Sequence, residues 1–250
     1  MRILSLKNIR AKSSLNFNFF AQGRDFMAEK NILKDGIEMY RRGDYSSSLA
    51  FFLSLPDEND ADKGELAYYI GLCYAKMSRY EDALLYLEQV VTSTENLDRI
   101  LQCRYILAVI YANSGRKRLA EFELNKLLES GYNPSKVYAS LAYVYWARGE
   151  NEKSIEFYKK SLEIDADNPT ALNGIGYVLA CQNKDLTMAL SYCRKALEHS
   201  PDSAAYLDSI GWVYLKLGLD ADALKYLSQA QEKLPDNAEI ARHLKILQEK

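Results

Sequence analysis

The chain has 250 residues, 48% of them hydrophobic, and its 32 basic and 34 acidic side chains leave a net charge of −2. That balance excludes the concentrated lysine and arginine that neutralise nucleic-acid phosphates, and no apolar run approaches the roughly 20 residues that span a bilayer. With 12 glycines and 5 prolines, a turn-rich β-sandwich is disfavoured, and the expectation is a soluble, mostly helical protein.

The first 28 residues stand apart from the rest. They carry Arg2, Lys7, Arg10, Lys12 and Arg24 against Asp25 alone. This basic leader lacks the uninterrupted apolar core of about 7–15 residues that a secretory signal needs. The open readings are a disordered leader or a start codon placed too early with Met27 as the real one, an amphipathic membrane-surface or targeting segment, and an atypical signal.

From residue 29 one pattern recurs. Gly36, Gly71, Ala108, Ala142, Gly176 and Gly211 follow one another at intervals of 35, 37, 34, 34 and 35 residues. Three positions after each stands Met39, Tyr74, Tyr111, Tyr145, Leu179 or Tyr214. Four positions later comes Gly43, Ser78, Gly115, Gly149, Asn183 or Gly218, and then a further small residue: Ser48, Ala83, Ala120, Ser154, Ala189 or Ala223. The repeats start near residues 29, 64, 101, 135, 169 and 204.

The first repeat is irregular, with Asp35 where an apolar residue is usual, and Leu55-Pro56 shortens its second half ahead of a polar loop over 56–65. In the fourth, Ile155, Tyr158 and Leu162 fall at helical spacing with charges between them. The fifth carries one extra residue in CQNKDLTMA, so that Ala189 arrives one position late. Pro201 and Pro235 end the second helices of the last two repeats. Residues 238–250 place Ile240, Leu244 and Leu247 on one stripe, as a helix covering the exposed end of an open array would.

A period near 34 with this order of residues resembles the tetratricopeptide repeat, a helix–turn–helix unit. The resemblance covers about residues 29–237 and implies an all-α fold: a right-handed α-solenoid of about six repeats with a C-terminal capping helix. Each repeated residue then has a task. The small residues lie where the two helices of a repeat cross, the large one between them fills the adjacent core, and the turn residue adopts the left-handed conformation that ends the first helix.

The resemblance also implies where a partner binds, on the faces of the first helices that turn away from the helix pair. Those positions hold Tyr68 and Leu72, Tyr105 and Val109, Tyr143 and Trp146, Asn173 and Tyr177, and Asp208 and Trp212 in the second to sixth repeats. The expected partner is a protein or peptide segment, with Tyr143, Trp146 and Trp212 dominating affinity. Co-chaperone members of the family hold a terminal carboxylate with Lys, Asn and Arg here. In this chain Lys76, Lys136 and Lys216 are scattered, so a carboxylate clamp is not expected. Self-association through the aromatic stripe is the alternative.

Within the fifth and sixth repeats, Asn173, Gly176 and Tyr177, followed by Asp208, Ser209, Gly211 and Trp212, resemble the C-terminal end of bacterial tetratricopeptide proteins. Several of those are envelope lipoproteins acting as assembly factors or protease adaptors. This chain has neither a lipobox cysteine near its start nor a clear signal, so the resemblance does not carry an adaptor role across; the expected location is cytoplasmic, with a periplasmic or envelope-associated accessory factor as the alternative.

No catalytic residue, metal ligand or cofactor is expected. Cys73, Cys103, Cys181 and Cys193 are widely separated and read as reduced thiols in the core or on helix faces. His199 and His243, the two histidines, read as lying near helix ends, away from any Cys, Ser or Asp. No phosphate loop, dinucleotide fingerprint, GxSxG or HExxH occurs.

Overall fold

The computed structural model describes residues 32–56 and 61–249, and the basic leader lies outside them. Among the described residues there are thirteen helices and no strand: α1 (Lys34–Arg41), α2 (Tyr45–Ser54), α3 (Lys63–Lys76), α4 (Tyr80–Ser93), α5 (Leu97–Asn113), α6 (Lys117–Glu129), α7 (Pro134–Ala147), α8 (Asn151–Ile164), α9 (Pro169–Cys181), α10 (Leu186–His199), α11 (Ala204–Lys216), α12 (Asp220–Lys233) and α13 (Ala238–Gln248). Two compact bodies divide at Ile110–Tyr111, inside α5. The odd-numbered helices α1 to α11 are the first, or A, helices of the six repeats, and α13 follows in the place of a seventh.

The repeated residues explain the helix boundaries. Gly43, Ser78, Gly115, Gly149, Asn183 and Gly218 all have positive φ, between +55° and +84°. That left-handed step turns the chain out of each A helix. The next amide then bonds back to the carbonyl of Met39, Tyr74, Tyr111, Tyr145, Leu179 or Tyr214 over 2.8–3.0 Å, satisfying a carbonyl that the helix end would leave orphaned. At the other ends, Asp44, Asp62, Asn168, Asp185 and Asn237 accept from amides in the first turns of α2, α3, α9, α10 and α13. Pro134 and Pro169 open α7 and α9, where a missing N–H leaves no hydrogen bond unmade.

Packing explains the small residues. A Cβ at Gly71 would stand 2.8 Å from Leu87, one at Gly176 2.6 Å from the Cys193 sulfur, and one at Gly211 2.7 Å from Leu227. The second set, Ser48, Ala83, Ala120, Ser154, Ala189 and Ala223, is wholly shielded from solvent. Leucines and aromatics fill the remaining space. In the C-terminal body Leu207, Leu227, Ala230, Ile240 and Leu244 form one cluster across α11, α12 and α13, so the last helix covers the terminal core as expected. All four cysteines are free; Cys73, Cys103 and Cys193 are buried and Cys181 is exposed.

Gly211→Ala is expected to lower the free energy of unfolding by roughly 1–3 kcal/mol, because a methyl must be forced into a filled crossing. Ser78→Gly should raise the unfolding midpoint, since it removes part of the roughly 1–2 kcal/mol that a Cβ costs in the left-handed region. Urea denaturation followed by circular dichroism measures both changes.

Candidate functional site

The A helices of the N-terminal body place Tyr68 and Leu72 on α3 and Tyr105 and Val109 on α5. Tyr68 is held firmly: its hydroxyl donates to Gln102 Oε1 at 2.6 Å and the Arg99 guanidinium lies 5.8 Å from its ring centre. Arg99 is tied in turn to Asp62 and Glu65 at 3.5 and 3.6 Å. Burial, the largest cause, pushes the Tyr68 phenol up to about 12. Leu72 is buried, Tyr105 half-buried, and Val109 exposed.

In the C-terminal body the A helices build an aromatic wall. The Tyr143 and Trp146 rings lie 5.8 Å apart on α7, and Trp146 meets Tyr177 of α9 edge-on at 5.5 Å. Such edge and tilted contacts suit the ring quadrupoles. Tyr143 is 39% exposed, whereas Trp146 and Tyr177 are half-buried. These rings, with Tyr158, Asn173, Asp208 and Glu239, border an open cavity of about 200 Å³. The Asn173 carboxamide oxygen is buried without a hydrogen-bond partner. Gly174 gives the cavity floor its shape, because a Cβ there would stand 2.1 Å from the Tyr158 ring.

Helix α13 supplies the opposite wall. The Tyr177 hydroxyl donates to Glu239 Oε1 at 2.6 Å, and burial together with that carboxylate holds the phenol far above its ordinary value of 10. Burial and the Glu239 charge raise the Tyr143 phenol as well. His243 is fully buried. Its Nδ1–H donates to Asp208 Oδ1 at 2.8 Å, which leaves Nε2 to accept from Arg242 at 2.9 Å. The imidazole also stacks on Trp212, with ring centres 4.1 Å apart and planes 21° from parallel.

Two expectations are corrected by this arrangement. His243 does not stand apart from acidic residues; it is the buried partner of Asp208, one repeat period away in sequence. Trp212, expected as an anchor for a partner, is only 6% exposed and is covered by the imidazole, with Lys216 Nζ 4.4 Å from its ring centre. Asp208 is equally enclosed, so both belong to the seat of α13. The structure thus brings together Tyr143, Trp146, Asn173 and Tyr177 at one cavity. Among the described residues no group of three or more His, Cys, Asp or Glu could hold a metal ion.

Comparison with known proteins agrees with this architecture. The tetratricopeptide repeat matches residues 65–93, and a related TPR repeat family matches residues 142–183. A TPR repeat-containing protein of Pseudomonas aeruginosa is 30% identical over 173 residues, covering 68% of this chain and 28% of that protein. The human protein O-mannosyl-transferase TMTC1 is 23% identical, covering 74% of this chain and 21% of that protein. The chain therefore spans about a quarter of the length of these curated relatives. A crystallised tetratricopeptide repeat protein from Parabacteroides merdae superposes with a TM-score of 0.71 at 15% identity, over 87% of this chain and 83% of that one. At that identity the likeness shows the fold alone.

Asp208→Ala leaves the Nδ1–H of His243 unpaired in the interior and should lower the free energy of unfolding by roughly 1–3 kcal/mol. Asp208→Asn, whose amide oxygen can still accept, should cost less than half as much. Urea denaturation monitored by tryptophan emission tests this, and equal stability of Asp208→Ala and wild type would remove the pair from the account.

Proposed function

We propose, from the premise that this chain is a tetratricopeptide repeat protein, that it is a non-catalytic binding module holding a segment of a partner protein in the aromatic cavity of its C-terminal body. Tetratricopeptide arrays in general mediate protein–protein contact. The observation that carries the finer reading is the Tyr143–Trp146–Tyr177 cluster, which borders an open cavity with Tyr143 exposed and the other two rings half-buried against the core. Large aromatics around a central pocket are the typical anchors of an interface. Tyrosine also suits such a surface, because the ring buries while the hydroxyl remains hydrated or bonded.

The helices that carry these rings are fixed by their own hairpins, so they lose little freedom on binding. The ordering cost falls mainly on the partner segment. Asn173 lines the same cavity beside the rings. Trp212 has no direct contact in this reading; it keeps α13, and with it Glu239, in place.

Tyr143→Ala and Trp146→Ala should each weaken binding of a bound segment by about 30-fold or more, equivalent to roughly 2 kcal/mol. Phe122→Ala, at an exposed ring on α6, should leave it unchanged. Titration calorimetry with a segment selected on the wild-type protein measures the three variants, with circular dichroism confirming their fold. Equal affinity of all three with wild type would place the binding surface elsewhere.

A further inference from the structure

The chemistry of the cavity specifies more than an aromatic anchor site. None of the residues that line it is Lys, Arg or His, whereas two carboxylates, Asp208 and Glu239, stand on its border. Asp208 is committed to His243. Glu239 accepts from Tyr177 through one oxygen, and its nearest cation is Arg242 at 3.7 Å, a partly exposed pair that solvent screens. Aromatic faces and carboxylates, with no cationic side chain among the lining residues, give the site a negative character.

We propose that this cavity receives one basic side chain, arginine or lysine, of a separate partner polypeptide. This rests on the groove reading above and names the chemistry of its occupant. A guanidinium or ammonium group is attracted to the faces of Trp and Tyr rings, and it brings donors for Glu239. An acidic or C-terminal carboxylate group would meet Glu239 with no lining cation to offset the repulsion. Size points the same way: about 200 Å³ is below the roughly 300–1,000 Å³ of sites that enclose a whole small-molecule ligand. It suits a single long side chain, whose aliphatic stem packs along the rings while its charged head reaches the rim.

The test is selection from a random twelve-residue peptide library displayed on phage, with the full chain and its Trp146→Ala and Glu239→Gln variants as baits. The expected result is enrichment of one fixed Arg or Lys among apolar residues, lost with either variant. A synthetic winner should then bind the wild type about 10-fold more tightly than its counterpart with citrulline in place of arginine. That preference should fall to twofold or less with Glu239→Gln, a partly exposed and conservative change that keeps the fold.

Winners that need Trp146 but carry no fixed basic residue, or carry an acidic one, would overturn the cation assignment and leave the groove reading standing. Absence of any Trp146-dependent winner would overturn both. A concentration-dependent dimer without peptide, abolished by Glu239→Gln, would put a second copy's basic residue in the cavity and overturn the assignment to a separate partner.

Discussion

The close crossing inside each helical hairpin is the constraint on which the rest of the structure depends. At Gly211 a single added carbon would lie 2.7 Å from Leu227 Cγ and 3.1 Å from its backbone nitrogen. The same crowding recurs at Gly71 and Gly176. Helices this close have little freedom to slide, because close-packed interiors offer no space to move into. The left-handed turn then fixes the direction in which the second helix leaves. Once those two features are set, one side of each A helix is committed to its hairpin. The other side is presented to the next A helix and to the groove.

That commitment explains why the C-terminal helix does more than close the array. By continuing the succession of A helices, α13 buries Ile240 and Leu244 against Leu207 and Leu227, as a terminal cap must. The same placement carries Glu239 across to Tyr177 and lays His243 on Trp212. The cap thus removes one aromatic from the groove and gives the remaining aromatics a charged wall. Stability and the charge of the cavity meet in an eleven-residue helix, which the buried Asp208–His243 hydrogen bond holds in place.

Much of this fold was legible because the repeated residues answer steric demands that few side chains can meet. Gly43, Gly115, Gly149 and Gly218 mark left-handed turns, and Ser78 and Asn183 could be placed among them by register alone. The fully buried Ser and Ala positions followed from the same period. The state of each groove residue was not legible. Spacing puts Tyr143 and Trp212 on equivalent faces, yet one is 39% exposed and the other 6%. The difference comes from what covers them: the His243 imidazole of α13 lies on Trp212. The missed pairing did leave a trace: His243 lies 35 residues after Asp208, the period of the array, just as Gln102 lies 34 after Tyr68. The repeat register, extended through α13, pairs Asp208 with His243.

The central claim, that a partner segment lies across the aromatic cavity of the C-terminal body, is tested most directly by photo-crosslinking. Benzoylphenylalanine would be placed at Tyr143, on the cavity, and separately at Phe122, a more exposed ring on α6. Each protein would be irradiated with a segment selected on the wild type, and the adduct mapped by mass spectrometry. The account predicts a defined adduct from position 143 and none from position 122. An adduct from 122 with none from 143 would contradict it.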